Sequence, residues 1–132
     1  MQYKYYTQSG SIYVRTVDVY GDDWVRLDHD GQTTPLAGAM HLTRKRLQTL
    51  ITDYPIGVLD HTALIGRSIA KEFFDDVQRE GAVQVSAEED STIFFLIDRG
   101  EGQYSLGHSS GVGRIESHDG TEVPESIEKK AF

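Results

Sequence analysis

The sequence predicts an α+β fold: an antiparallel sheet in βββ-αα-ββββ order with two central helices packed on the sheet. Three observations carry this reading. The first forty residues read as β, rich in β-branched and aromatic residues broken by glycine turns. The middle of the chain changes to the period of an amphipathic helix, and after Gly81 the alternation of strands returns. Strands grouped on either side of a helical pair argue against a parallel, doubly wound sheet, in which strands and helices alternate.

The elements follow in order. Tyr3-Lys4-Tyr5-Tyr6-Thr7 is composed of strand-formers, and Gln8-Ser9-Gly10-Ser11 turns the chain. A second strand runs from Ile12 to Tyr20, with a change of face near Thr16-Val17-Asp18 that suggests a bulge. Gly21-Asp22-Asp23 reads as the next turn. From Trp24 to His29 the strand alternates, so that Val25, Leu27 and His29 oppose Trp24, Arg26 and Asp28, and Asp30-Gly31 ends it.

Thr43 caps a first helix whose buried stripe is Leu47, Leu50, Ile51 and Tyr54, closed by Pro55. Asp60 or Thr62 caps a second and longer helix, with Ile65, Ile69, Phe73 and Val77 in line. Asp75 and Arg79 form a favourable pair four residues apart in that helix, and Gly81 stands where a helix end favours glycine. Residues 83–87 alternate as a strand, and Glu88-Glu89-Asp90-Ser91 is a polar turn. Ile93-Phe94-Phe95-Leu96-Ile97 is apolar on both faces, as in a covered central strand. Two further strands are expected, from Gln103 to His108 and from Arg114 to His118, joined by a glycine-serine loop. Residues 1–120 are read as one domain and 121–132 as a polar arm or tail.

Composition bounds the function classes. With 132 residues the chain has room for one core. The longest apolar run, from Ile93 to Ile97, is far short of the twenty or so residues of a membrane helix, and the amino end lacks a segment of signal-peptide length. No cysteine is present, which removes thiol catalysis, disulfides and thiolate metal sites and fits the cytoplasm. The formal net charge is −8, densest between residues 84 and 102, where five acids face one arginine. Such a surface repels phosphate backbones, so duplex nucleic acid is not an expected partner.

One stretch mimics a catalytic motif. Gly107-His108-Ser109-Ser110-Gly111 fits the G-x-S-x-G of a hydrolase nucleophile elbow. The elbow needs a helix directly after the serine, and Ser110-Gly111-Val112-Gly113-Arg114 does not read as one. The downstream pair His118-Asp119 is adjacent in sequence and points to opposite faces of a strand. With 13 glycines and ten serines, such a match carries little weight. No catalytic residue is assigned, Ser109 is expected to begin a loop, and no cofactor or metal is called for. The histidines lack ligand spacing, although convergence of His29 and His118 in space is left open.

Two candidate sites remain. Trp24 and Arg26, with Tyr13 and Tyr20, are a candidate contact patch if their face is exposed, since aromatics and arginine are enriched at interfaces. Arg44-Lys45-Arg46 puts three cations at a helix start, against the helix dipole. Either an anion or a nearby acid such as Glu88, Glu89 or Asp90 would offset them. The leading expectation is a non-catalytic binding module acting on a protein partner or on itself. The alternatives are a small enzyme or ligand-binding protein using His108 and Arg114 in a pocket between sheet and helices, and an anion or single-stranded nucleic acid binder using Arg44, Lys45 and Arg46.

Overall fold

The computed structural model of the chain describes residues 1–52, 71–81 and 83–117. Tyr54, Pro55, the second helix's expected cap and its positions Ile65 and Ile69, His118, and the arm at 121–132 lie outside the described residues.

The described residues form an antiparallel sheet of seven strands with two helices, an α+β fold in which the sheet curls. The amino-terminal meander is β1 (Gln2–Thr7), β2 (Ile12–Asp18) and β3 (Gly21–Leu27). Its second turn falls two residues earlier than the sequence suggests. Asp18 Oδ1 accepts hydrogen bonds from the backbone N–H of Tyr20 (2.8 Å) and Gly21 (3.1 Å), so Val19 and Tyr20 form the tip and Gly21 already pairs with Asp18. There is no bulge in β2: the pairing with β3 runs unbroken from Ile12–Leu27 to Asp18–Gly21.

Two strands precede the helices where none was expected, β4 (Thr33–Pro35) and β5 (Gly38–Thr43). The first is short and ends in proline. The second has four consecutive buried residues, so it shows no alternation for a pattern to detect. Helix α1 (Arg44–Thr52) starts as expected, with Thr43 Oγ1 accepting the Arg46 N–H at 3.1 Å and Leu47, Leu50 and Ile51 buried. Helix α2 (Lys71–Glu80) buries Phe74 and Val77. Within it Asp75 bonds Lys71 at 2.9 Å, and Arg79 bonds Asp76 at 2.8 Å.

Among the described residues the last third holds two strands rather than the four expected, β6 (Ser91–Gly100) and the 15-residue β7 (Gln103–Ser117). Residues 83–85 join no strand ladder, because Gln84 N–H donates to His41 O (3.0 Å) at an isolated point. The glycine-serine loop expected near Ser109 is instead strand. Along β7 the partner changes, since residues up to Gly111 pair with β6 and those from Val112 pair with β1. The register slips by one residue between the Phe94–His108 and Thr92–Gly111 pairs, and again between Tyr6–Arg114 and Thr7–Val112. Gly107 through Gly113 therefore bends one long strand with two bulges.

The strand order is β4-β3-β2-β1-β7-β6-β5. The outermost strands, β4 and β5, are separated by Leu36 and Ala37 alone. Leu36 N–H donates to Trp24 O on β3 (3.1 Å) and Ala37 N–H to Leu96 O on β6 (2.9 Å), so the curled sheet comes round on itself. This leaves an interior and an outer wall. Both helices pack over β5, and Leu47, Ile51, Phe74 and Val77 meet Met40 and Leu106 from the sheet.

Candidate functional site

Strands β1, β2 and β3 present opposite chemistries on their two faces. Inward go Tyr3, Tyr5, Tyr13, Arg15 and Trp24, all buried, with Asp22 and Arg26 half-buried beside them. Outward go Tyr6, Ile12, Val14, Val25 and Leu27. The inner face carries most of the large aromatic residues and the Arg15–Asp22 pair, and the outer face carries Ile12, Val14, Val25 and Leu27 together with Tyr6, Lys4 and Asp23.

The interior is organised around Arg15, whose side chain is 0% exposed. Arg15 Nε and Nη2 donate to the two carboxylate oxygens of Asp22 at 3.0 and 3.2 Å, a bidentate pair that matches guanidinium to carboxylate. Arg15 Nη1 donates to Tyr5 Oη at 3.4 Å, and the guanidinium lies 5.6 Å from the Trp24 ring centre and 5.9 Å from that of Tyr3. Tyr5 packs its ring 5.0 Å from Trp24 and 5.2 Å from His41. Burial pushes the Tyr5 hydroxyl up to about 12, against a smaller opposing pull from Arg15, so it stays protonated and donates to Gln84 O at 3.1 Å.

His41, on β5, is fully buried, and burial lowers its pKa to about 4. It is therefore neutral near pH 7. Its Nδ1 lies 3.1 Å from Gln84 O, a group that only accepts, so Nδ1 carries the proton and Nε2 the lone pair. Among the described residues, His41 Nε2, Trp24 Nε1 and Gln84 Oε1 meet no hydrogen-bond partner. The cluster is held around the Arg15–Asp22 pair and joins four strands, β1, β2, β3 and β5, to the segment at Gln84. It contains no side chain poised as a nucleophile beside a base.

Ser109 has a structural part in the same wall. It is 5% exposed; its hydroxyl donates to Ser110 O at 2.6 Å and accepts the Ile93 N–H at 3.0 Å, the amide that the bulge would otherwise leave without a ladder partner. Both hydrogen-bonding roles of the hydroxyl are occupied, and no helix follows at 110–115. Gly107 lies under the Phe95 ring, where an added Cβ would come within 2.6 Å of a ring carbon.

The candidate contact patch of Tyr13, Tyr20, Trp24 and Arg26 does not assemble on the surface. Tyr13 and Trp24 are 3% exposed, and Arg26 stacks inward 5.6 Å from Phe95 while pairing with Asp28 at 3.0 Å. Tyr20, 94% exposed, stands apart at the hairpin tip. The physical reason is the curl of the sheet, which puts the Trp24 face inside. Arg44, Lys45 and Arg46 are exposed at the start of α1. Asp90 folds over that start, its side chain 3.6 Å from Arg44 and its carbonyl accepting the Arg44 N–H at 3.3 Å.

His108 and Arg114 are exposed: His108 Nδ1 lies 3.1 Å from Ser109 O, and Arg114 pairs with Glu116 at 3.0 Å. Among the described residues, the cleft between helices and sheet is lined by Met40, Leu47, Ile51, Phe73, Phe74, Val77 and Leu106, all apolar. Among the described residues no three His, Asp or Glu side chains gather as for a metal, and no helix is long and apolar enough to cross a membrane.

The outer face of the meander is the surface that sequence reading passed over. Register places Tyr6, Ile12, Leu27 and Thr33 side by side across four strands, and Lys4, Val14, Val25 and Pro35 in the next row. A third row is Gln2, Thr16 and Asp23. From β7, Arg114 lies beside Tyr6, its guanidinium 4.1 Å from the ring centre, and Glu116 lies beside Lys4. Tyr6, Ile12, Val14, Val25 and Leu27 belong neither to the core nor to the partly buried hydrophobic residues packed against it. The signal that would have revealed this face was present: Ile12 and Val14 alternate with Tyr13 and Arg15 just as Val25 and Leu27 alternate with Trp24 and Arg26.

Fold and surface together define an α+β protein with a curled antiparallel sheet, a charged aromatic interior and an aliphatic outer wall. No family model, curated protein or solved structure matches the chain.

Proposed function

We propose that this chain is a non-catalytic interaction module of the cytoplasm, and that it binds a protein through the outer face of β1, β2, β3 and β4. The observation that carries the reading is the inverted patterning of the meander. A strand with one face in a core ordinarily turns Val, Ile and Leu inward and polar residues to water. Here Ile12, Val14, Val25 and Leu27 are outward, in contiguous cross-strand rows with Tyr6 and Pro35. Contiguous apolar surface of this kind marks a contact site. Tyr6, Ile12, Val14, Val25 and Leu27 are partly buried in the chain itself, and covering what each leaves exposed would contribute up to roughly 1 kcal/mol. Face-on docking suits the fold better than strand addition, because β4 and β5 lead into one another and Gln84 occupies part of the free side of β5.

Site-specific photo-cross-linking tests this. A photoreactive side chain at Val14, in the cell that makes the protein, is expected to give one discrete protein adduct, while the same group at the exposed Glu101 gives none. Equal, diffuse labelling from both positions, or none from Val14, would overturn the proposal.

A further inference from the structure

We infer that the occupant of this outer face is a second copy of the chain, seated about a two-fold axis that runs along β2. The inference rests on the reading of that face as a contact surface and names its partner. Charge makes the first argument. The chain as a whole carries −8, yet the charged residues of this face are two cations, Lys4 and Arg114, and three anions, Asp23, Glu116 and, at the hairpin end, Asp18, whose carboxylate is held by the turn amides. A basic partner recruited by the acidic chain would find almost no excess negative charge here. Two chains that each carry −8 repel one another least where they meet through this nearly neutral, largely apolar face.

Placement makes the second argument. A two-fold contact pairs each residue with its counterpart across the axis, so opposite charges must lie on opposite sides of that axis. Arg114 and Glu116 already pair with each other on β7 at 3.0 Å. Lys4 and Asp23 have no ion pair among the described residues, and they lie on the strands to either side of β2. Laying one copy on another about β2 puts β1 over the partner's β3. Lys4 is level with Val25 through Val14, and Asp23 is two residues farther along β3, about 7 Å, within reach of a lysine side chain. The same pair then forms twice. Val14 lies at the centre, near the axis.

Magnitude sets the concentration at which this appears. Four strands about 4.8 Å apart and five residues long give a footprint of about 20 by 17 Å, well below the roughly 800 Å² per partner of a standard interface. A footprint this small makes a weak, concentration-dependent association rather than an obligate dimer. Sedimentation velocity from about 1 to about 500 μM is expected to show the mass rising from monomer to dimer, and Val14→Asp is expected to stay monomeric throughout. Lys4→Glu alone and Asp23→Lys alone should each weaken association at least tenfold, and mixing the two should restore a heterodimer, because every contact then again joins opposite charges. These two residues are on the surface, so circular dichroism should show both variants folded. A wild type that stays monomeric, a Val14→Asp dimer, or a mixture no tighter than its components would each overturn the inference. A monomeric wild type whose Val14 cross-linker still captures one other protein species overturns the second copy while leaving the face as a contact surface.

Discussion

Replacing Asp22 with asparagine removes one charge from the most buried ionic contact in the chain. Arg15 is 0% exposed and donates two hydrogen bonds to Asp22, whose side chain is 19% exposed. Breaking a buried pair by removing one partner costs about 3–5 kcal/mol, because the other charge is left without its counter-ion in a poor dielectric. Asparagine keeps one acceptor, and Asp22 sits near solvent, so the low end of that range applies, about 3 kcal/mol. For a domain of this size that lowers the melting temperature by about 10 °C. Urea unfolding followed by the single Trp24 reads the difference, since Trp24 stacks on the same guanidinium. The double variant Arg15→Met/Asp22→Leu should recover most of the loss, because well-packed apolar groups replace a buried pair at little net cost. A loss below about 1 kcal/mol for Asp22→Asn, or a double variant worse than the single one, would refute the view that the interior is held around this pair.

Three further outcomes follow from the interior. Burial holds His41 at about 4 in the folded chain against an ordinary 6.5, so between those values the unfolded chain takes up a proton that the folded one does not. Stability is full above pH 6.5 and falls toward pH 4, by on the order of 3 kcal/mol, and His41→Gln should flatten that slope in denaturant titrations. Gly107→Ala drives a Cβ into the Phe95 ring and should cost about 1–3 kcal/mol, whereas Gly113→Ala, with nothing within 4 Å of the added carbon, should be close to neutral by thermal melting. Ser109→Ala removes the acceptor for the Ile93 amide and should cost about 1–3 kcal/mol, while wild-type Ser109 should resist fluorophosphonate labelling.

The parts of the fold that were legible in sequence are those where pattern and local chemistry agree. The meander shows it by alternation, the Thr43 cap by its Leu47-Leu50-Ile51 stripe, and the strand around Phe94 by an unbroken apolar run between turn signals. Strand β5 was not legible, because Ala39, Met40, His41 and Leu42 are buried on both faces and alternate in nothing. Strand β7 was misread for a different reason. Glycine and serine ordinarily mark loops, but here Gly107 admits Phe95, Ser109 satisfies the bulge, and the strand bends to serve two neighbours. The G-x-S-x-G match is thus a bulge signal, and its serine works through the backbone.

The candidate contact site was missed because the conspicuous residues lie on the other face. Trp24 and Arg26 stand out as interface chemistry if their face meets water, and Val25 and Leu27 lie opposite them. Curling the sheet exchanges their places, because a ring of strands encloses large aromatic and guanidinium groups that stack on one another and satisfy their charge internally. Nothing local to one strand reports which face the curl encloses. That information lies in the junction at Leu36 and Ala37, where the two ends of the sheet meet.

The central claim is that the aliphatic face of the meander is open on the isolated chain and covered by a second copy. The absence of cysteine makes a direct measurement simple, since Val14→Cys introduces a lone thiol at the centre of that face. Its rate of modification by a maleimide, taken against Tyr20→Cys at the exposed hairpin tip, should be within about tenfold of the reference at 1 μM and fall steeply by several hundred micromolar, while the reference stays constant. A Val14→Cys thiol that reacts equally at all concentrations, or one that is already protected at the lowest, would contradict the account.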